Sequence, residues 1–541
     1  MTSSKLQIGG ALFVGPARGA VTANRPDAAP PRRRFHKLPA FPAQGDATSG
    51  PERQMLIPLR HPDAMSISAS APAAQSSLPA SVYALLAPLL ALAATLASPA
   101  VLNDGDTWWH LAAGQWMLTH RAVPTTDVFS FSAPGAFWNA HEWLAELALA
   151  GAFRLAGWSG AAALTGALVA GALLIVTRRA LRAGLAGLPL LALLLTAFCL
   201  IAPSLLVRPH LFGLALLAFW VDRLMTARET GRAPPLWAAG TMLLWANMHA
   251  SFLLGLALIG PFALEALIEA QPRDRLKVFG GWAAFGLGAA LACLANPQGY
   301  NIFLFPLAVT HMTMLPNIIE WRAISFDRFE PIEPALLALL GLALLRPVRL
   351  PALRLLVLLG LIHMALHHGR HQMIFGVVAP LLLAGPLAQV FPRVEIGEPR
   401  RDALLWRGGL ALMALMVALR LFVPIARVDS PTAPLSALAA LPQELRAKPV
   451  LNELSFGGPL IYAGIKSFID GRFDIFGDAF FFRYDRMVEG DAAAFDEGVA
   501  SYGFQWTLLP PAVPLNKVLA TRPEWTRLYG DDFAVVYARK Q

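Results

Sequence analysis

The chain has 541 residues, of which 56% are hydrophobic and only 15% charged, with a mean hydropathy of +0.52 and a net charge of +9. Soluble domains average about 45–50% apolar and about 25% charged residues, so this composition excludes an ordinary soluble enzyme and a disordered scaffold and favours a chain buried in lipid. The two cysteines, Cys199 and Cys293, exclude a disulfide framework and a cysteine-rich metal site.

The first 75 residues differ from the rest of the chain. They are rich in Pro, Ala, Ser and Arg and lack sustained periodicity, which predicts a disordered basic leader over 1–79. No apolar stretch follows the arginines closely enough for a secretory signal. Met65 as the true first residue is an equally good interpretation.

Apolar runs of roughly 15 to 22 residues recur from residue 81, against the ~20 residues that a membrane span requires. The fold class predicted is an all-α polytopic membrane protein with about eleven transmembrane helices over 80–424. The predicted spans lie near 81–102, 159–177, 186–204, 210–225, 236–248, 252–270, 278–295, 335–346, 352–366, 372–390 and 405–424.

Basic residues alternate between the two sets of loops. One set carries three or four arginines or lysines per loop, at 178–182, 223–232, 273–277, 346–354 and 393–407, whereas each loop of the other set has at most two. The positive-inside rule places the basic set in the cytoplasm, with the N-terminus inside and the tail from 425 outside. We therefore expect a multi-pass protein of the cytoplasmic membrane in this orientation, and the positive charge does not indicate nucleic acid.

Unusual polar motifs gather at the other, outward ends of the spans. These motifs are NDGDTWWH (103–110), NAHEW (139–143), VRPH (207–210), ANMH (246–249), NPQGY (296–300), IEWR (319–322) and HHGRHQ (367–372). Ionisable groups at membrane depth are costly and usually functional. Their grouping predicts a single site at the outer surface.

The loop at 103–158 is far longer than a typical connection. It is predicted to contain a helix over 106–120 and a second helix over 141–157 that lies along the membrane interface. Asp104 and Asp106 could share a divalent cation, Mg²⁺ or Mn²⁺, or one could act as a general base. Alternatively, Asp106 is simply the N-cap of the helix.

A long first outer loop that opens with an acidic motif, two interfacial helices and roughly a dozen spans together resemble the GT-C superfamily of membrane glycosyltransferases. A closer resemblance is to a bacterial GT-C-like family with a C-terminal extracytoplasmic domain. The segments similar to that family are DGDTWWHLAAGQWML, FSFSAPG, HEWLAE, WANMHASFLLGL, NPQGYNIFLFPL, IEWR, LNELSFGGPLIYAG, FIDGRFDIFGD and WTLLPP. The resemblance covers most of 80–541.

This resemblance implies inverting transfer of a sugar from a polyprenyl-phosphate donor to a glycan, lipid or protein acceptor. An acidic residue of the first outer loop deprotonates the acceptor in such enzymes; Asp106 matches that position best and Asp104 second. The mannosyltransferases of the superfamily have Glu where this chain has Thr107, and the metal-holding acidic residues of the oligosaccharyltransferases find no secure match. A metal therefore remains an open expectation.

The remaining polar residues are candidates for substrate binding. Arg208, His210, Arg370 and His371 are candidates for the donor phosphate, although the arginines could instead snorkel to lipid headgroups. Asn247, His249, Glu320, Trp321, His110, His141 and Glu142 are candidates for sugar or phosphate, each with a structural role as the alternative. His367, His368 and His371 also have near-ligand spacing for zinc.

The tail at 425–541 has no segment able to span a membrane. VLNEL (450–454), SFID (467–470), WTLLP (506–510) and FAVVYAR (533–539) predict strands, and the intervening segments helices, so a small α/β extracytoplasmic domain is expected. The IDGRFD segment predicts a turn with charged flanks, whose Asp470, Arg472 and Asp474 could alternatively contact an acceptor. Two other functions compete with transfer: a non-catalytic assembly or export partner, and a lipid or solute transporter.

Overall fold

The computed structural model describes residues 79–391 and 399–540. The predicted leader and the alternative start at Met65 lie outside the described residues, apart from Pro79. The helices of the first part are α1 (Ala80–Ala97), α2 (Asp106–His120), α3 (Trp143–Arg182), α4 (Gly187–Ile201), α5 (His210–Thr230), α6 (Leu236–Ala239), α7 (Thr241–Ala246), α8 (Phe252–Glu269), α9 (Arg275–Cys293), α10 (Asn301–Thr310), α11 (Ile332–Leu345), α12 (Ala352–His367), α13 (Gln372–Val390) and α14 (Pro399–Phe422).

Within the described ranges, eight helical segments are long and apolar enough to cross a membrane. They are Ala80–Ala97, Trp143–Arg182, Gly187–Ser204, His210–Thr230, Phe252–Glu269, Pro272–Cys293, Gly369–Val390 and Arg400–Phe422. Three further predicted spans are shorter helices: Leu236–Ala246, which is interrupted at Gly240, Ile332–Leu345 and Ala352–His367. This is the make-up of a multi-pass membrane protein, while the number of eleven crossings stays a prediction.

Helix α3 bends where the interfacial helix was predicted to give way to the second span. Ala156 and Gly157 have non-helical backbone angles, and Gly157 has φ 59° and ψ −143°. Those angles lie in a region that is open essentially to glycine alone. The bend therefore separates the first part of α3, which carries Glu146 and Arg154, from the apolar second part of the helix.

Charged residues meet at both ends of the helical bundle. Arg228 and Arg354, from two of the predicted cytoplasmic loops, both pair with Glu265 near the end of α8, at 3.0 and 2.6 Å. The polar motifs of the predicted outer loops gather at the opposite ends of the same helices and form the site described below. The alternation read from the arginines thus corresponds to two distinct ends of the bundle.

The tail folds as a small four-stranded sheet with helices, as predicted. Its strands are β1 (Val450–Asn452), β2 (Trp506–Leu509), β3 (Trp525–Gly530) and β4 (Val535–Arg539), in the order β1-β2-β4-β3. The β1–β2 pair is parallel and the other two pairs are antiparallel. Its helices are α15 (Leu435–Ala440), α16 (Gly457–Tyr462), α17 (Phe473–Val488), α18 (Ala492–Tyr502) and α19 (Leu515–Ala520).

One predicted strand is wrong and one strand was not predicted. The SFID segment makes only an isolated bridge between Ser467 and Ser130, because Asp470 at its end is buried in an ion pair with Arg472 instead of continuing a ladder. Strand β3 went unrecognised because its sequence, WTRLYG, is mostly exposed and lacks a hydrophobic face.

The tail packs tightly on the first outer loop through glycines. A Cβ at Gly458, in α16, would lie 2.0 Å from the carbonyl oxygen of Gly105, and a Cβ at Gly105 would lie 2.2 Å from the carbonyl oxygen of Ser455. The backbones touch directly because neither glycine has a side chain. The start of α2 is therefore held against the tail.

Candidate active site

Arg208 joins residues from three separate segments of the chain. Its Nε lies 2.7 Å from Asp104 Oδ2, its Nη1 2.6 Å from Glu320 Oε1 and its Nη2 2.9 Å from Asp106 Oδ2, while Nη2 also pairs with Asp104 Oδ1. We call these four residues the Arg208 cluster. Arginine suits this place because its planar fork presents several donors at once. The arrangement excludes the snorkelling alternative for Arg208.

Asp104, not Asp106, caps helix α2. Asp104 Oδ2 accepts hydrogen bonds from the backbone N–H and the hydroxyl of Thr107, both at 3.0 Å. The N-cap residue is Gly105, and Asp106 is the first residue of the helix. The predicted helix over 106–120 is thus confirmed, whereas the N-cap interpretation of Asp106 is wrong, and the Asp106 carboxylate is released for other contacts.

The two aspartates differ in accessibility and in acidity. Burial alone would raise the pKa of Asp104, but the charge of the adjacent Arg208 and the hydrogen bonds from Arg208 and Thr107 lower that pKa below the usual value. Asp106 keeps 21% of its side chain exposed and accepts one hydrogen bond from Trp109 Nε1 at 3.0 Å. Burial, together with the repulsion of Asp104 and Glu320, raises the pKa of Asp106 to about 7, against the opposing effect of Arg208.

These contacts do not fit a divalent cation held by Asp104 and Asp106. The guanidinium of Arg208 already supplies the positive charge for both carboxylates and for Glu320. A dication beside it would face the repulsion of that fixed cation. Within the described residues, Asp104 and Asp106 are therefore an arginine site and not a Mg²⁺ or Mn²⁺ site.

A second group of polar residues, the His–Glu cluster, comprises His110, His141, Glu142, Glu146 and His249. His110 Nδ1 lies 3.0 Å from Glu146 Oε1, and its Nε2 lies 3.9 Å from Glu142 Oε2. His141 Nε2 and His249 Nε2 each lie 3.7 Å from Glu142 Oε1. Burial lowers the pKa of His110 and of His249 well below the usual value, so both imidazoles are neutral at pH 7.

Arg370 is the cation of the site with the fewest close partners. Its Nη1 lies 3.9 Å from Glu320 Oε2, and its guanidinium stands over the ring of Trp321 at 4.6 Å from the centroid. A stacked guanidinium keeps its N–H donors directed outward in the ring plane. Arg370 can therefore offer donors to a phosphate, whereas the donors of Arg208 are largely taken by carboxylates.

Several predicted site residues have structural partners instead. The side-chain amide of Asn247 donates to the carbonyls of Leu243 and Ala295, and its oxygen accepts from Trp143 Nε1. His210 Nε2 donates to the Ser204 carbonyl at 2.8 Å. His371 Nδ1 lies 3.3 Å from the Met364 carbonyl.

The three-histidine zinc interpretation is not supported among the described residues. His367 Nδ1 pairs with His368 Nε2 at 3.0 Å, and His368 Nδ1 donates to the Trp321 carbonyl at 2.7 Å. These bonds turn the rings toward one another and toward the backbone. The group of potential metal ligands that does come together consists of His110, Glu142 and Glu146.

The sequence pattern missed two important participants. Glu146 follows Glu142 by one helical turn, so the two carboxylates share a face of α3, a spacing that could have identified it in an otherwise apolar helix. Gly471, in the tail, lies against the Asp106 carboxylate. Nothing local signals that contact, because it joins positions more than 360 residues apart.

The charged turn of the tail is buried rather than exposed. Arg472 pairs with Asp470 at 2.7 Å and with Asp127 of the first outer loop at 2.6 Å, and all three side chains are essentially inaccessible. Asp470 and Arg472 therefore lock the tail to the loop and cannot contact an acceptor. Asp474 remains beside the site, where burial raises its pKa to about 6.

No protein-family model matches the sequence, and comparison with curated proteins gives no match. The fold is similar to three structures of the Archaeoglobus fulgidus oligosaccharyltransferase. The apo form is 9% identical over 79% of this chain and 69% of that chain, with a TM-score of 0.46. AglB in complex with an inhibitory peptide and a dolichol-phosphate is 10% identical over 85% and 74%, with a TM-score of 0.48. The form tethered with an acceptor peptide containing the NVT sequon is 9% identical over the same shares, with a TM-score of 0.43.

At these identities and TM-scores the likeness is partial, so the chemistry is inferred from this chain's own side chains.

Proposed function

We propose that this chain transfers a sugar from a polyprenyl-phosphate donor to an acceptor at the outer face of the bacterial cytoplasmic membrane, with Asp106 as the general base. The proposal rests on the difference between Asp104 and Asp106 in contacts, exposure and acidity. Asp104 is occupied by two nitrogens of Arg208 and by Thr107. Asp106 pairs with Arg208 through Oδ2 at 2.9 Å, is partly exposed and has its pKa raised to about 7. A general base works best when its pKa lies near the working pH.

The reaction requires one proton transfer and one displacement at the sugar. Asp106 takes the proton of the acceptor hydroxyl or amide as the acceptor atom attacks C1 of the sugar. The bond between C1 and the phosphate oxygen breaks on the opposite side, so the configuration at C1 inverts and polyprenyl phosphate leaves with the bonding electrons. Arg208 orients Asp106, and no step needs a metal.

The leaving phosphate is assigned to Arg370. This guanidinium lies next to the Arg208 cluster, and its nearest carboxylate oxygen is 3.9 Å away, so its charge is only partly compensated. A bidentate arginine stabilises phosphate oxygens as negative charge develops on them. The sugar is assigned to Trp321, which lies beneath the guanidinium, and to Glu320 beside it. The acceptor is a glycan, a lipid or a protein, and membrane lipids surround the helices.

The test measures sugar transfer directly. Purified protein in proteoliposomes receives a panel of tritiated hexosyl and pentosyl undecaprenyl phosphates, together with envelope extract from a deletion strain as the acceptor source. We expect the intact protein to release undecaprenyl phosphate and to move label into the extract. Asp106→Asn should lower this rate by at least about 100-fold, in line with the loss of a general base, whereas the exposed Asp327→Asn should leave it unchanged.

Failure to release undecaprenyl phosphate would contradict the proposal. A transporter would then still move the lipid across the membrane, whereas a non-catalytic assembly partner would neither move nor cleave it. Full activity of Asp106→Asn would exclude this residue as the base.

Arg370→Gln is expected to raise the KM for the donor more than it lowers kcat, because the proposed role of Arg370 is to bind the donor phosphate.

A further inference from the structure

The His–Glu cluster contains two carboxyl groups, those of Glu142 and Glu146, whose ionic partners among the described residues are histidines. Glu146 is 1% exposed, and its Oε2 has no hydrogen-bond partner in the described part of the chain. In that same part, neither Glu142 nor Glu146 has a lysine or arginine within 4.0 Å; their ionic contacts are to histidines alone. Burying unpaired carboxylates costs several kcal/mol each.

The backbone brings these side chains together by close packing of α2 on α3. A Cβ at Gly114 would lie 2.2 Å from the carbonyl oxygen of Glu146, so only glycine allows the two helices to approach this closely. His110 lies one turn before Gly114 on α2, and Glu142 lies one turn before Glu146. Three potential ligands from two helices therefore converge, with their ligand atoms all within 4.8 Å of one another.

We propose that His110, Glu142 and Glu146 bind a divalent transition-metal ion that clamps α2 to α3. His141, whose Nε2 lies 3.7 Å from Glu142 Oε1 but outside the group of three, is assigned as a fourth ligand that turns toward the ion on binding. An ion of charge +2 balances the charge of the two carboxylates, and the unpartnered Oε2 of Glu146 becomes one of its ligands. This site is separate from the Arg208 cluster and from Asp104 and Asp106. It does not depend on the proposed sugar transfer.

Hydrogen bonding decides which histidines can be ligands. His141 Nδ1 donates to the Asn139 carbonyl at 3.1 Å, which leaves the lone pair on Nε2 directed toward Glu142. A metal-bound histidine usually has such a partner on its other nitrogen. His249 Nδ1 instead accepts the Ser251 backbone N–H at 3.1 Å, so its Nε2 carries the proton and can only donate to Glu142.

The donor set favours particular ions. Imidazole and carboxylate together suit Zn²⁺ or Mn²⁺, whereas Mg²⁺ and Ca²⁺ prefer oxygen ligands alone. Ligands of a tetrahedral Zn²⁺ at about 2.1 Å stand about 3.4 Å apart. One ligand atom from each of His110, Glu142 and Glu146 lies within 4.8 Å of the other two, so side-chain rotations that draw them together complete a coordination of this size.

The experiment measures metal content and needs no substrate. The full chain is purified in detergent with a histidine-free affinity tag, stripped with EDTA, reloaded separately with ZnCl₂ or MnCl₂, desalted and analysed by mass spectrometry for metal. We expect about one ion per chain and a rise in the melting temperature on reloading. Glu146→Gln should retain less than about a tenth of that metal, whereas the exposed Glu497→Gln should match the unmodified chain.

Glu142→Gln provides a second variant should Glu146→Gln fail to fold, because Glu142 lies nearer the surface. A reloaded chain that holds less than a tenth of an ion would overturn the proposal. So would equal metal content in the unmodified chain, Glu142→Gln and Glu146→Gln. Since failure of sugar transfer leaves the metal content untouched, the two proposals fail independently.

Discussion

Gly471 of the tail lies directly against the carboxylate of Asp106. A Cβ at position 471 would stand 2.0 Å from Oδ1 and 2.9 Å from Oδ2, closer than any real contact. The turn that follows Asp470 therefore forms one wall around the proposed base. The tail contributes to the site itself and is not an appendage to the helical bundle.

The first prediction follows from this contact. Gly471→Ala should lower the rate of sugar transfer by about 100-fold, because displacement of a reacting group by about 1 Å has effects of that order. The rate is measured in proteoliposomes at matched protein levels. Gly151→Ala is the control, since a Cβ there meets no atom within 4 Å. Equal rates for the two variants would show that a shift of the turn at Gly471 does not affect the function of Asp106.

A second prediction concerns pH. Asp106 must be deprotonated to accept a proton, and its pKa is raised to about 7. The value of kcat/KM should therefore fall about tenfold per pH unit below pH 7 and level off above it. Of the groups that face Asp106, Arg208 stays charged. Burial raises the pKa of Asp104 and of Glu320, but Arg208 together with the Thr107 hydrogen bonds at Asp104, and Arg208 together with Arg370 at Glu320, leave both pKa values lowered.

Glu142 needs a separate control, because burial raises its pKa to about 7 as well. Glu142→Gln should keep the break in the pH profile if Asp106 is responsible for it. A flat profile between pH 5.5 and 8.5 in the unmodified chain would contradict the assignment of Asp106.

The third prediction concerns the stability that Arg208 provides. Arg208→Ala leaves Asp104, Asp106 and Glu320 without their shared cation, and we expect a loss of about 3 kcal/mol in the free energy of unfolding. Arg208→Lys should be intermediate, because an ammonium group cannot form the planar fork. Thermal unfolding in detergent, followed by tryptophan fluorescence, checks both. The exposed Arg328→Ala should change the melting temperature little.

The fourth prediction concerns the lock between the tail and the first outer loop. Arg472→Met leaves Asp127 and Asp470 buried without a counter-charge, which should cost about 3–5 kcal/mol. Limited proteolysis should then cleave the tail faster than in the unmodified chain. Arg486→Met, which removes an exposed pair with Asp491, is the matched control. Equal cleavage of the two variants would mean that the tail is held by its apolar contacts alone.

The fifth prediction concerns orientation in the membrane. The arginine-rich loops place the N-terminus inside and the tail outside. Alkaline phosphatase, which is active only outside the cytoplasm, should therefore be active when fused after residue 425 and silent when fused at residue 230. The reverse pattern would invert the orientation and move the proposed site to the cytoplasmic face.

Local patterns predicted much of the architecture from particular residues. The sequence DTWWHLAAGQWMLTH predicted helix α2 with its observed limits, because Trp109, Leu111, Trp116 and Leu118 stand among polar neighbours as on a helix with a mixed face. The polar motifs at alternate span ends predicted that Asp104, Arg208 and Glu320 would meet, and they do. The SFID strand failed because burial of Asp470 with Arg472 overrode local β-propensity.

Composition and periodicity in the sequence were enough to determine a multi-pass helical chain with an α/β tail, since burial in lipid and helix geometry act on neighbouring residues. Only the tertiary structure decided which aspartate is the more accessible, which arginine is occupied by carboxylates and which buried carboxylate oxygen lacks a partner. Those properties depend on distances between groups such as Asp106 and Gly471. These groups are far apart in the sequence and come together only when the chain folds.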